Sequence, residues 1–167
     1  MQIGRDPVHS LQLIHDLSLY DAAFFVIPRE IEAALSEPPA SGKRALVSAT
    51  ILHELLTEPG VHLPPLHPLL FKAVKTDSSC VPRLYLASML TPFACITYSD
   101  KKQRLHPATE VVLRESLKIG TQNHYLDGIP HLFSAHQLLR NALDDAESLQ
   151  FPARRVAIGL LIVFALA

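Results

Sequence analysis

The stretch Val81–Ala94, VPRLYLASMLTPFA, carries no charge beyond Arg83. Leu84, Leu86, Met89, Leu90 and Phe93 do not keep to one stripe of a 3.6-residue period. A helix apolar on nearly every side has to be enclosed by other elements, so this pattern predicts a central, buried helix. The rest of the chain reads as the shell around it.

Asp6-Pro7 is a helix start, with Asp as cap and Pro at the first helical position. Val8, Leu11, Ile14 and Leu17 follow near helical spacing and predict a short amphipathic helix over Pro7–Leu17. A second apolar stretch, Leu19–Ile27, closes at Pro28, and Arg29–Leu35 has room for another turn or two. Lys43–Glu58 places Ala45, Ala49, Leu52 and Leu56 on one face before Pro59-Gly60 ends it. Ser36–Gly42 and the Pro-rich Val61–Pro68 read as loops, with a short helix over Pro68–Lys75.

Thr97–His106 is polar and basic, hence a loop. Pro107–Lys118 reads as a helix with Gly120 just past its end. Asp127-Gly128 marks a turn, and His131–Leu143 is helical, with Leu132, Leu139 and Leu143 on one face. Pro152–Ala167 is the last helix. No stretch alternates as a strand with hairpin chemistry. The expected fold class is all-α, an irregular array of about seven to nine packed helices with no sheet. Two segments are expected, 1–75 and 76–167.

Hydrophobic residues make up 49% of the 167 and charged ones 19%, a core-forming balance. The formal net charge is -1, whereas free-standing RNA-binding domains are usually clearly basic. A nucleic-acid role therefore needs a local patch, or help from other parts of a larger protein. Cys80 and Cys95 read as reduced, small core residues of an intracellular protein. Met1–Asp6 matches neither a secretion signal nor an Arg-rich presequence. Val156–Ala167 is uncharged and apolar, but a bilayer span needs about 20 residues, so no membrane is expected. A helix this apolar needs a partner surface, which favours a truncated chain over a buried helix that ends early.

Much chemistry is missing. His62 and His67 are five apart, as are His131 and His136; five residues turn a helix so that side chains diverge by about 140°. No Cys stands near them in a zinc pattern. His15-Asp16 resembles the paired residues of metal-dependent phosphohydrolases, but His9 is nearly opposite in phase. There is no Gly-rich phosphate loop, nucleophile elbow or Asp-x-Asp pair for two magnesium ions. Asp144-Asp145, beside Glu147, reads as a solvated helix end. No catalytic residue and no metal ligand is expected.

Basic residues cluster in the second half. Lys101, Lys102 and Arg104 share a polar loop, and Arg114 and Lys118 follow four apart, on one helix face. Flexible cations of this kind bind phosphates without reading sequence, or form a solvated charged surface. Arg154 and Arg155 fall at a helix start, where cations are mildly unfavourable unless an anion is near. That anion is Asp144, Asp145 or Glu147, or an RNA phosphate. Lys43 and Arg44 pose the same question. Gln122 and Asn123 lie in the polar run Thr121–Tyr125, which can bond bases and riboses or cap the flanking helices.

Two stretches carry a family resemblance. Gly4–Phe25, GRDPVHSLQLIHDLSLYDAAFF, followed by Pro28, resembles the segment after the neck of class II CCA-adding enzymes. LYLASMLTPF, TYSDKK, VVLRESLKIGTQNH and ARRVAIGLL, in that order from Leu84 to Leu161, are similar to the body and tail of fungal tRNA nucleotidyltransferases. Arg29–Ser79 is a variable middle. The resemblance implies a tRNA partner gripped at its acceptor and TΨC arms through the backbone. It makes 1–75 a body segment following the neck and 76–167 a body and tail segment. It places the magnesium-binding head and the CTP- and ATP-selecting neck upstream of Met1, so this chain carries neither and is expected to be inactive alone. Val163–Ala167 depart from the family, which has charged positions there. The competing expectation is a helical protein-interaction scaffold without RNA binding. A complete but unrecognised enzyme is a third, which no constellation of residues supports.

Overall fold

A computed structural model of the chain describes residues 6–58, 60, 66, 68–119, 128–130, 132–133 and 135–138. Helix α1 spans Pro7–Asp16, and its cap is as expected: the Asp6 carboxylate accepts from His9 N at 2.9 Å with Pro7 first in the helix. Ser18, at φ 54°, turns the chain into α2, Tyr20–Phe24. Tyr20 and Phe24 stack at 4.7 Å, and the Tyr20 hydroxyl donates to Met89 O at 2.6 Å. Burial pushes that hydroxyl well above the ordinary tyrosine range, with nearby Asp21 adding to the effect. A single turn, α3, covers Arg29–Glu32.

Helix α4, Lys43–Thr57, buries Ala45, Ser48, Ala49, Leu52, Leu55 and Leu56. Its N-cap is Gly42, a position with no room for a side chain: a Cβ would lie 2.5 Å from Tyr20 Cγ. Helix α5 covers Pro68–Thr76.

The central helix is shorter than its apolar run. Helix α6 spans Cys80–Met89, and a 3-10 turn takes over at Thr91–Phe93. Pro92 has no N–H to continue the ladder to Ser88. The Thr91 hydroxyl supplies that bond instead, donating to Ser88 O at 2.8 Å. Leu86, Leu90 and Phe93 are buried, while Leu84 and Met89 pack against the core from its edge. Helix α4 lies against α1 and α6. The core runs from Leu11 through Leu52, Leu86 and Leu113 to Phe133.

The chain is mostly helical, but the expectation of no sheet is corrected. Thr97–His106 is not a loop. Strands β1, Thr97–Ser99, and β2, Leu105–Pro107, form an antiparallel pair with Thr97 facing Pro107, Tyr98 facing His106 and Ser99 facing Leu105. Leu35 makes a bridge to Tyr98 and extends this small sheet. The expected helix over Pro107–Lys118 is also revised. Pro107 belongs to β2, α7 covers Ala108–Val111, and a π-helical turn follows at Val112–Ser116. Leu117 N donates to Val112 O, one residue beyond α-helical spacing. Lys118, at φ 52°, ends the element.

Helical residues 128–130, 132–133 and 135–138 form α8, which starts before the expected His131 and buries Ile129 and Phe133. Cys95 is exposed, so it is not a core residue; Cys80 is half-buried, and neither forms a disulfide among the described residues. Among the described residues no helix is long and apolar enough to cross a membrane. The expected sites Gln122, Asn123, Arg154 and Arg155, and the last expected helix, lie outside the described residues.

Candidate nucleic-acid interface

The hairpin tip Asp100–Arg104 carries three of the expected cations. Its shape comes from one carboxylate. Asp100 Oδ1 accepts from Lys102 N at 2.7 Å and Arg104 N at 2.9 Å, and Gln103 takes φ 59° to close the turn. The other oxygen, Oδ2, receives Arg104 Nε and lies 3.3 Å from His106 Nε2. These contacts, Arg104 N foremost, hold the Asp100 carboxyl below the usual carboxylate range, although partial desolvation opposes them.

A chain of polar contacts continues from there. His106 Nδ1 lies 3.9 Å from Glu110, whose other oxygen receives Arg114 Nη2 at 2.8 Å. Tyr98 packs on His106, with ring centroids 5.5 Å apart. Burial pushes the Tyr98 hydroxyl up, and Glu110 adds to it. A carboxylate oxygen thus lies within 4 Å of each His106 ring nitrogen.

The five expected cations divide unequally. Lys101, 93% exposed, lies 3.8 Å from Glu30, itself 84% exposed; such a pair contributes little. Lys102 is exposed, and its side chain makes no hydrogen bond or ion pair among the described residues. Arg104 and Arg114 remain half or more exposed while paired with Asp100 and Glu110. Lys118 pairs with Glu115 at 3.2 Å. The structure thus unites Lys101, Lys102 and Arg104 on one tip and links Arg114 to them through Glu110, His106 and Asp100. It does not set Arg114 and Lys118 on one α-helical face, because Arg114 lies within the π-helical turn and Lys118 follows its end at φ 52°. Over Thr97–Lys118, five basic residues face the three acids Asp100, Glu110 and Glu115.

No family model, no curated protein and no solved structure matches the chain.

Sequence reasoning missed Asp100, His106, Glu110 and Tyr98. The i,i+4 spacings of His106, Glu110 and Arg114 were visible, and pointed to a linked face. Asp100 carried no such signal, since its partners are backbone amides of a turn. Among the described residues no group of three or more His, Cys, Asp or Glu side chains could hold a metal ion. The carboxylates of this cluster are bound to arginines and backbone amides, so they do not fit magnesium, and no step of nucleotidyl transfer is assigned to them.

Proposed function

We propose that this chain is a tRNA-binding helical region of the body-and-tail type found in CCA-adding enzymes. Magnesium, CTP and ATP belong to the head and neck of such an enzyme, and the residues here would hold the acceptor and TΨC arms through their phosphates. The observation that carries the reading is the hairpin tip, a rigid turn built on Asp100 with Lys101 and Lys102 exposed and uncommitted to strong ion pairs. Cations on a preorganised turn lose little freedom when a phosphate arrives. The ordered series of family-like segments from Gly4 to Leu161 supplies the class of nucleic acid.

Changing Lys101, Lys102 and Arg104 together to Ala tests this in a titration of labelled tRNA. At low salt the variant should bind at least tenfold more weakly than the parent chain. Unchanged affinity overturns the placement of the interface.

A second reading, a protein-interaction scaffold without RNA binding, is favoured by the pairing of Arg104, Arg114 and Lys118 with carboxylates. It requires that the parent chain fail to bind tRNA even at low salt.

A further inference from the structure

Among the ion pairs made by the cations of Thr97–Lys118, that of Arg114 is the shortest. Its Nη2 donates to Glu110 Oε1 at 2.8 Å, against 3.2 Å for Lys118 on Glu115, 3.3 Å for Arg104 on Asp100 and 3.8 Å for Lys101 on Glu30. A charge-assisted bond of that length belongs to the strong class. Glu110 is also the more enclosed partner, its side chain 25% exposed where that of Glu115 is 46%. Its other oxygen faces His106 Nδ1.

The backbone keeps the pair together. Glu110 sits in α7 among the buried residues Ala108, Thr109 and Val111, and Arg114 in the π-helical turn that also carries buried Val112 and Leu113. Neither side chain can leave the other through a movement of its own loop, as the exposed Lys101 and Glu30 can.

A phosphate that approaches Arg114 therefore meets a cation already neutralised. The pull of the guanidinium is offset by the repulsion of the carboxylate beside it. Taking Arg114 away would strand the Glu110 carboxylate, largely out of water, without its cation. Lys102 has no such partner, and that of Lys101 is solvated and weak.

We propose that Glu110 is an internal competitor of the phosphates, an autoinhibitory contact that holds Arg114 out of the grip and leaves the hairpin tip to make it. This inference rests on the tRNA reading. It limits the number of phosphates neutralised to fewer than the basic residues present, so binding stays weak and readily reversed.

The test is a double-mutant cycle. The parent chain, Glu110→Gln, Arg114→Ala and the double variant are titrated with labelled tRNA over a series of salt concentrations. Glu110→Gln should bind about three- to tenfold more tightly at low salt, the worth of one net hydrogen bond. Its plot of log affinity against log salt should steepen by roughly 0.7–0.9, one further phosphate neutralised. Glu110→Ala should gain likewise. Arg114→Ala should leave the slope of the parent unchanged, yet remove the added slope in the Glu110→Gln background. Mere loss of a negative charge would instead raise affinity equally with or without Arg114. A slope that Glu110→Gln leaves unchanged or makes shallower, or an equal gain in the Arg114→Ala background, overturns this inference while binding by the parent keeps the tRNA reading. Failure of both the parent and Glu110→Gln to bind tRNA overturns the two together.

Discussion

Tyr98 and His106 face each other across the β1–β2 register, with ring centroids 5.5 Å apart and ring planes inclined by 28°. This pair is the floor on which the basic tip stands. His106 reaches Asp100 on one side and Glu110 on the other, so one stacked ring joins the turn to α7.

Asp100 should therefore govern the order of the tip. Asp100→Ala removes the acceptor of the Lys102 and Arg104 amides. Hydrogen exchange at those two amides should accelerate in the variant, while exchange at Leu86 and Leu113 stays as in the parent.

Acid should act on the same contacts. The folded Asp100 carboxyl titrates below its unfolded value, near 3.9 for a free aspartate. Its contribution to hairpin stability is complete above that pH and is lost as the pH falls through the lowered folded value. Protection of the Lys102 and Arg104 amides, taken relative to their intrinsic exchange rates at each pH and followed from pH 5 downward, should stay flat until below about pH 4 and only then fall. Loosening already at pH 5 to 6 would point to a different group.

Gly42→Ala tests the packing of α4 on α2. The added methyl lands inside contact distance of three Tyr20 carbons, and the nearest of them belong to the ring base, which Phe24 and Met89 O hold in place. Overpacking of this kind should cost about 1–3 kcal/mol in urea denaturation. A variant as stable as the parent would mean that Tyr20 moves aside freely.

Tyr20→Phe addresses the same ring from its polar end. It leaves Met89 O without the hydroxyl donor and should lower stability by about 0.5–1.5 kcal/mol. The variant keeps the Phe24 stack, so near-native cooperativity should persist.

The helices were legible where polarity alternated around them. Lys43–Glu58 and Pro7–Leu17 were placed within a residue or so, because caps, prolines and one apolar face all agreed. The central helix was legible in kind but not in length, since its apolar pattern runs through Pro92 while its hydrogen bonds do not. The hairpin was not legible at all. Strands of three residues carry too little alternation, and Asp100–Arg104 looks like any charged loop until its carboxylate is seen holding two amides. The basic cluster was found from composition, yet the carboxylates that pair with it were not. They sit on the same face because β2 feeds directly into α7, a junction hidden by the expected helix start at Pro107.

The central claim is that the hairpin tip grips tRNA through phosphates, and the salt dependence of binding tests it most directly. The slope of log affinity against log salt counts phosphates neutralised. Changing Lys101, Lys102 and Arg104 to Ala should make that slope shallower by about 2 to 3. A slope equal to that of the parent chain, or a parent chain that does not bind tRNA at low salt, would contradict it.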